Sequence, residues 1–598
     1  MYILGISAFY HDSAACLLRD ETVAAAAQEE RFTRIKNDER FPANAIGFCL
    51  EKAGITLKEV DYIVFYEKPF IKFEWIIETH VAFAPKGLIS FWKSMPVWIK
   101  GKIFMKKEII RKLKEIDSSW DYTGENLLFT EHHHSHAASA FYPSPFDNAL
   151  ILTLDGVGEW NTTTVAEGSG NSIKFLQEIN FPHSIGLLYS AFTYYLGFKV
   201  NCDEYKVMGL APYGKPRFAD TIYTHLIDVK DDGSFRLNMD YFGFTRGLRM
   251  TNRKFHALFG AKPRRKGSEL TTFHMDLASS IQQVAEEVLL RMVHHLHSLY
   301  GHDNLCLAGG VALNCVANGR ILRESPFKKL WIQPAAGDAG GALGAAYEVY
   351  YRYLNNPRTL NNGTDKMNHA LLGPSFGKEE IKTLLTKNQL SYQDLKEDDF
   401  YRTVAAAIAM GKIIGWFNGN MEYGPRALGN RSILGDARNP VMQSVMNRKI
   451  KFRESFRPFA PVILEEFATD YFDMPAPSPY MLLVSYLKKE YRLQVEEEPV
   501  LTGLDKLKQV RSVVPAITHV DFSARVQTVN EESNPSLYKL IRSFYELTGC
   551  PLLINTSFNV MNEPIVCTPQ DAMGCFQRSG IDILAIEGLV VEKQATES

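Results

Sequence analysis

The sequence predicts two α/β domains joined by a polar seam, and three observations predict it. Apolar strand-like segments alternate with amphipathic helical ones from the first residues onward, the pattern of an α/β core. The chain has 598 residues, more than one core organises when a domain holds roughly 100 to 200 residues. The stretch 355-NNPRTLNNGTDKMN-368 is poor in large apolar residues and separates the helical 341-GALGAAYEVYYRYL-354 from a new segment opening with ALLGPSF. The first domain is read as 1–354, the linker as 355–368 and the second domain as 369–598.

In chain order, Tyr2 to Ile6, Ala14 to Leu18 and Val23 to Gln28 read as short strands, and 43-ANAIGFCLEKAG-54 as an amphipathic helix. The basic amphipathic stretch 86-KGLISFWKSMPVWIKGKIFMKK-107 reads as a helical insertion packed on the protein, with contact to a membrane surface as the sharper alternative. The segments 149-ALILTLDG-156, 304-NLCLAGG-310 and 329-KLWIQPAAGD-338 are apolar runs ending in glycine or aspartate, as buried strands delivering loops to a site do. Past the seam, 403-TVAAAIAMGKIIGWF-417 is a helix followed by a strand, and 551-PLLINTS-557 and 582-DILAIEGLVVEK-593 are strands.

Charge excludes one broad class. With 66 Lys+Arg against 68 Asp+Glu and a net charge of −2, no global basic field exists for a nucleic-acid backbone, so any polyanionic ligand must be small. The eight cysteines form no Cys-x-x-Cys pair and sit mostly in apolar runs, as buried free thiols in a reducing cytoplasm do. The N-terminus lacks a basic leader, and no charge-free apolar stretch reaches about 18 residues. A cytoplasmic protein without a membrane span is expected.

Segment 131-EHHHSHAASAF-141 holds four histidines in five positions. On a helix His132 and His136 stand one turn apart on one face, as two imidazole ligands of one ion require. The strand ALILTLD ends on Asp155, and Asp338 ends another strand before a glycine-rich helix start. Two imidazoles and two carboxylates form an N/O donor set suited to catalytic iron, manganese or zinc. His133 and His134 face elsewhere and are not read as ligands.

Three glycine loops suit phosphates: Gly5-Ile6-Ser7, Gly309-Gly310-Val311-Ala312-Leu313-Asn314 and Gly337-Asp338-Ala339-Gly340-Gly341. Glycine permits close backbone approach, and a helix start offers free amides to an anion. Their placement at strand ends resembles the duplicated ribonuclease-H-like fold of actin and sugar kinases. Two classes stay open on the residues alone: an ATP phosphotransferase, or an enzyme using an adenylate as activated donor. The histidine cluster, foreign to sugar kinases, favours the second.

Eleven motifs in order, among them GISAFYHDSAACLL, QEERFTR, EHHHSHAASAF, EYKVMGLAPYG, LAGGVALNCVANGRI, MEYGPRALGNRSILGDAR, KIKFRESFRPFAP and LLINTSFNVMNEPIVCTPQDA, make the chain resemble the NodU/CmcH family of O-carbamoyltransferases. It is most similar to the subgroup that includes the carbamoyltransferase of saxitoxin biosynthesis. The resemblance implies a Kae1-like domain with the duplicated ribonuclease-H-like fold, followed by a YrdC-like α/β domain. It implies that carbamoyl phosphate and ATP give carbamoyl adenylate in the second domain, and that the first, holding iron(II), transfers the carbamoyl group to an acceptor hydroxyl. Magnesium is implied as the counter-ion of ATP.

Carried over, the resemblance again gives His132, His136, Asp155 and Asp338 as metal ligands. It makes His11, beside Asp12, the group that takes the acceptor proton, an imidazole with an ordinary pKa near 6.5 suiting a base. It places adenylate contacts on Gly309, Gly310 and Asn314, with Glu204, Lys206 and Gly209 in the same cleft. Between 426 and 457 lie eight basic residues and two acidic ones, and interleaved apolar residues point to a buried pocket for small phosphates. There the resemblance selects Arg426, Arg431, Lys451 (also catalytic) and Arg457, with His519, Arg525, Asn555, Ser557 and Asn559 nearby. One departure is Asn562 where the family often has glycine, and asparagine tolerates the left-handed conformation that such a turn demands.

The expected partners are carbamoyl phosphate, ATP and a hydroxyl-bearing small molecule or glycan. Modification of tRNA or protein, or phosphotransfer on an actin-like fold, are the alternatives. A homodimer is compatible with a glycan-modifying enzyme of this size.

Overall fold

The computed structural model describes residues 1–82, 92, 104–122, 124–245, 249–361, 363–494 and 501–593. The reading of 86–107 as a helical insertion lies largely outside the described residues. The chain divides into two compact units, Met1–Glu29 with Asn37–Lys366, and Glu30–Lys36 with Met367–Ser598.

The first unit holds β1 (Tyr2–Ser7), β2 (Ala14–Arg19), β3 (Thr22–Gln28), β4 (Tyr62–Phe65), β5 (Leu127–Phe129), β6 (Asn148–Gly158), β7 (Asn161–Ser169), β8 (Ser172–Asn180), the hairpin β9 (Ile227–Val229) and β10 (Phe235–Leu237), β11 (Asn304–Ala308) and β12 (Lys329–Ile332). One sheet runs β3-β2-β1-β4-β5, the other β12-β11-β6-β7-β8. In each, three strands form an antiparallel meander and two later ones add in parallel beside the first. Parallel neighbours need crossovers. Helix Ala43–Ala53 lies between β1 and β4, and Cys315–Glu324 between β11 and β12. The same wiring twice is the duplicated ribonuclease-H-like fold.

In the second unit β13 (Gln393–Asp394), β14 (Ile414–Phe417), β15 (Arg431–Gly435), β16 (Ala460–Leu464), β17 (Leu483–Tyr486), β18 (Ser523–Val529), β19 (Leu552–Ser557), β20 (Ile583–Ile586) and β21 (Leu589–Glu592) form one mixed sheet, ordered β13-β21-β20-β14-β15-β19-β16-β18-β17. Its inner strands are buried, and helices such as Glu397–Ala409 and Pro535–Thr548 pack their apolar residues into the same core. The fold class is α/β in both halves, as read from the sequence.

Several local readings are corrected. The run 582–593 is a hairpin of β20 and β21, turned by Glu587 (φ 46°) and Gly588 (φ 79°), both in the left-handed region that a two-residue hairpin turn demands. Gly5 lies inside β1, where a Cβ would overlap the Ala342 carbonyl, so this glycine serves close packing and not a phosphate. The polar residues 355–366 are not a free linker. Arg358 donates to the carbonyls of Tyr142 (3.1 Å), Phe146 (2.8 Å), Phe141 (2.9 Å) and Ser144 (2.9 Å), and Lys366 pairs with Glu21 at 2.6 Å. All eight cysteines are free and seven are buried.

Candidate metal centre and candidate anion site

Helix His132–Phe141 begins on the first of the expected ligands, and the Glu159 carboxylate accepts the His132 amide at 3.3 Å and the Lys68 amide at 2.5 Å. The helix packs so closely on Asp338–Tyr347 that a Cβ at Gly344 would overlap the Ser135 carbonyl. That approach brings Asp338, first residue of its helix, to the histidines. Asp155 lies where the β6–β7 register breaks, between Leu154 and Gly158, and a local break of this kind re-aims a strand side chain.

His132 Nε2 stands 3.0 Å from Asp155 Oδ2, 3.0 Å from His136 Nε2 and 3.7 Å from Asp338 Oδ1. His136 Nε2 is 3.7 Å from Asp155 Oδ2 and 3.9 Å from Asp338 Oδ1. All four ligand atoms lie within 4.8 Å of one another. Donors held at about 2.0–2.2 Å around one ion stand roughly 3.0–4.2 Å apart, so these residues fit a divalent cation. Both buried histidines turn their ε nitrogens inward and leave Nδ1 without a hydrogen-bond partner. The Asp155 carboxyl is held well below the usual range, since the His132 and His136 imidazoles outweigh its burial.

His11 Nε2 is 3.8 Å from Asp338 Oδ2, and its Nδ1 is 3.1 Å from Asp12 Oδ2. Its loop is pinned by Phe9 N to Glu39 O (2.8 Å) and Ser13 N to Asp38 O (2.9 Å), with Phe9 (φ 70°) and Asp12 (φ 52°) left-handed. Burial works against an imidazolium here, yet Asp338 and Asp12 push the His11 pKa up to about 10. Cationic charge bound between Asp155 and Asp338 would offset their part of that field, leaving the contribution of Asp12. His133 proves to be a core residue, its Nδ1 2.9 Å from Thr153 Oγ1 and 3.2 Å from Thr164 Oγ1.

The expected nucleotide residues carry structural duties of their own. Gly309 has φ 89° and approaches the Leu154 carbonyl too closely for any Cβ, and the Gly310 amide donates to Asp155 Oδ1 at 3.2 Å. Asn314 caps helix Cys315–Glu324 and trades both amide bonds with Gln282 (3.1 and 3.2 Å). Glu204 accepts from Ser190 Oγ and the amides of Asn201 and Cys202, each at 2.9 Å. Lys206 pairs with Asp203 at 3.1 Å, and Gly209 lies in helix Glu204–Leu210.

In the second unit Lys451, 2 % exposed, donates to the Ser557 carbonyl, to Asn559 Oδ1 (2.7 Å) and to Asn559 O (3.0 Å). Burial drives its pKa far down, reinforced by Arg453 and Arg457. Ser557 Oγ bonds Asn559 Oδ1 at 2.8 Å, and Asn559 Nδ2 donates to Glu563 O at 2.7 Å. Lys451, Ser557 and Asn559 are thus gathered, with Arg457 near enough to act on the lysine's charge. Asn555 is buried one register step inward and bonds Gln527 Oε1 at 2.6 Å. His519 accepts the Val520 amide at 2.9 Å, and Arg525 lies on β18 opposite Val484 of β17. Arg426 sits in the loop whose Leu428 and Asn430 amides donate to Glu422 Oε1, both at 2.8 Å. Asn562 is left-handed (φ 66°), as its place in the turn requires.

Arg431 is corrected. Fully buried, it donates to the carbonyls of Asn418, Gly419, Asn430 and Pro374 at 3.0–3.1 Å and lies 3.6 Å from the Phe417 ring centroid. Its guanidinium ties backbone together and is not presented to a phosphate. Sequence reasoning assigned no role to Arg31, Arg34, Glu159 and Glu422, whose partners are largely main-chain atoms that carry no residue-specific signal.

The carbamoyltransferase N-terminus model matches residues 2–347 and the carbamoyltransferase C-terminus model residues 405–593. A protein of Synechocystis sp. described as uncharacterised is 56% identical, covering 99% of this chain and 97% of that one. The nodulation protein NolNO of Sinorhizobium fredii is 35% identical over 98% of this chain and 79% of its own, and nodulation protein U of Rhizobium fredii is 28% identical over 92% and 88%. With both models matched across most of its length, and its motifs resolved into one histidine–aspartate cluster and one basic loop system, this chain belongs to the carbamoyltransferase family of transferase enzymes.

Proposed function

We propose that the protein is an ATP-dependent O-carbamoyltransferase that forms carbamoyl adenylate in its second unit and transfers the carbamoyl group in its first. Carbamoyl phosphate is hydrolysed: a water oxygen bonds to the carbamoyl carbon as its bond to the phosphate oxygen breaks, giving carbamate, inorganic phosphate and a proton. A carbamate oxygen attacks the α-phosphorus of ATP, the bond to the β-phosphate oxygen breaks, and pyrophosphate leaves. An acceptor hydroxyl oxygen then attacks the carbamoyl carbon, its proton passes to a base, and AMP departs.

The observation that carries this reading is the convergence of His132, His136, Asp155 and Asp338 within 4.8 Å in a chain of this family. A divalent ion there, iron(II) by the family resemblance, would polarise the carbamoyl carbonyl as a Lewis acid. With the charges of Asp155 and Asp338 offset, His11 can shed its proton and serve as the base, oriented by Asp12 at 3.1 Å. Gly309, Gly310, Asn314, Glu204, Lys206 and Gly209 belong to the adenylate side of this unit. In the second unit Lys451, whose charge is costly where it is buried, gains a charge-stabilising neighbour when a phosphate arrives, and Arg426, Arg457, His519, Arg525, Asn555, Ser557 and Asn559 surround the anions. The acceptor is a hydroxyl of a natural product or glycan.

Labelled carbamoyl phosphate with ATP and magnesium should yield pyrophosphate and an AMP-linked carbamoyl species. Folded, iron-loaded protein that forms neither overturns the reading.

A further inference from the structure

The motif 28-QEERFTRIK-36 enters none of the chemistry above. Its residues Glu30–Lys36 nonetheless belong to the second unit, although the chain around them builds the first. Arg31, 3 % exposed, donates to the Gly424 carbonyl at 2.7 Å and pairs with Glu30 at 2.9 Å. Arg34 donates to the carbonyls of Ile565 (2.6 Å) and Pro564 (2.8 Å), with Asp571 at 3.5 Å from its Nε. Between them Phe32 packs on Met421, Ala427, Ile565 and Cys567.

These contacts fall on two loops. Gly424 precedes Arg426 in the loop whose amides Glu422 gathers. Pro564 and Ile565 follow Glu563, whose carbonyl holds Asn559, whose amide oxygen in turn takes the Lys451 ammonium. Two guanidinium groups therefore grip the backbone next to both sets of anion-facing side chains. A charged donor on a carbonyl makes one of the stronger hydrogen bonds in a protein, and the planar fork of Arg34 spans two successive carbonyls as lysine cannot.

We propose that Arg31 and Arg34 are positioning residues of the activating site, holding the 424–431 and 559–567 loops in register from a segment of the N-terminal part of the chain. The proposal rests on reading the second unit as the site of adenylate formation. Residues 367–598 alone would then be an incomplete activating unit, and pyrophosphate-forming chemistry would depend on residues encoded more than 300 positions earlier.

Arg34 has φ 59°, so Arg34→Gly removes the side chain without straining the backbone. In the full chain, carbamoyl-phosphate-dependent exchange of labelled pyrophosphate into ATP is measured together with amide hydrogen exchange. Arg34→Gly should raise the KM for carbamoyl phosphate by about tenfold as the loop loses both of its guanidinium bonds. It should raise amide exchange in 424–431 and 559–567 but not in β14 or β20, and millimolar guanidinium should restore both. Wild-type KM together with wild-type loop protection overturns the proposal, as does loss of protection throughout the sheet. If wild-type protein shows no such exchange reaction, the reading of the activating site fails. The positional claim is then still decided by loop protection. Should Arg34→Gly not fold, Arg34→Lys is expected to show a graded loosening of the same loops, and unchanged loops there overturn the claim.

Discussion

A single hydrogen decides the geometry at Gly158. A Cβ on this residue would overlap the His132 ring and stand 2.9 Å from His133 Cδ2. Gly158→Ala should lower stability by about 1–3 kcal/mol through overpacking and weaken metal binding, read by thermal melting and by titration with manganese or iron(II). Arg431 and Lys451 show why basic density in sequence overstates a pocket. Arg431 serves four main-chain carbonyls, so Arg431→Met should lose about 3 kcal/mol or more, seen as a fall in melting temperature of the whole second unit and not as a selective rise in KM. Lys451 has a folded-state pKa far below its ordinary 10.5. Between those two values the unfolded chain binds the extra proton, so wild-type stability rises with pH toward about 10.5. Relative to Lys451→Met, the wild-type melting temperature should climb with pH up to about 10.5, and parallel curves would contradict the depressed lysine pKa.

At the scale of elements, what was legible depended on how local the determinant is. His132 and His136 are one helical turn apart, so their shared face follows from helix geometry, whereas Asp155 lies inside β6 and Asp338 opens a helix past β12 rather than ending a strand as read. The meander Tyr2–Gln28 and the helix Ala43–Ala53 were readable from period alone. The β20–β21 hairpin was not, because Glu587 takes a left-handed conformation without the usual Asn-Gly signal. Nor was the placement of Glu30–Lys36. Arg31 and Arg34 bond carbonyls 393 and 530 or more residues away, and carbonyls have no residue-specific signature. The strap at 355–366 looked like a linker because polar composition alone does not distinguish solvated loops from loops bonded to buried backbone.

For the whole molecule, the near-zero net charge concealed a division. One unit concentrates imidazole and carboxylate ligands, and the other gathers lysine and arginine beside the 557-SFN-559 turn. Among the described residues no helix is long and apolar enough to cross a membrane. The central claim is that activation and transfer are separate chemistries on separate units. His132→Ala in the full chain, supplied with labelled carbamoyl phosphate, ATP and a competent acceptor, tests it most directly. Pyrophosphate and carbamoyl adenylate should still form while the acceptor remains unlabelled. Loss of both products from the folded variant, or labelled acceptor at the wild-type rate, would contradict it.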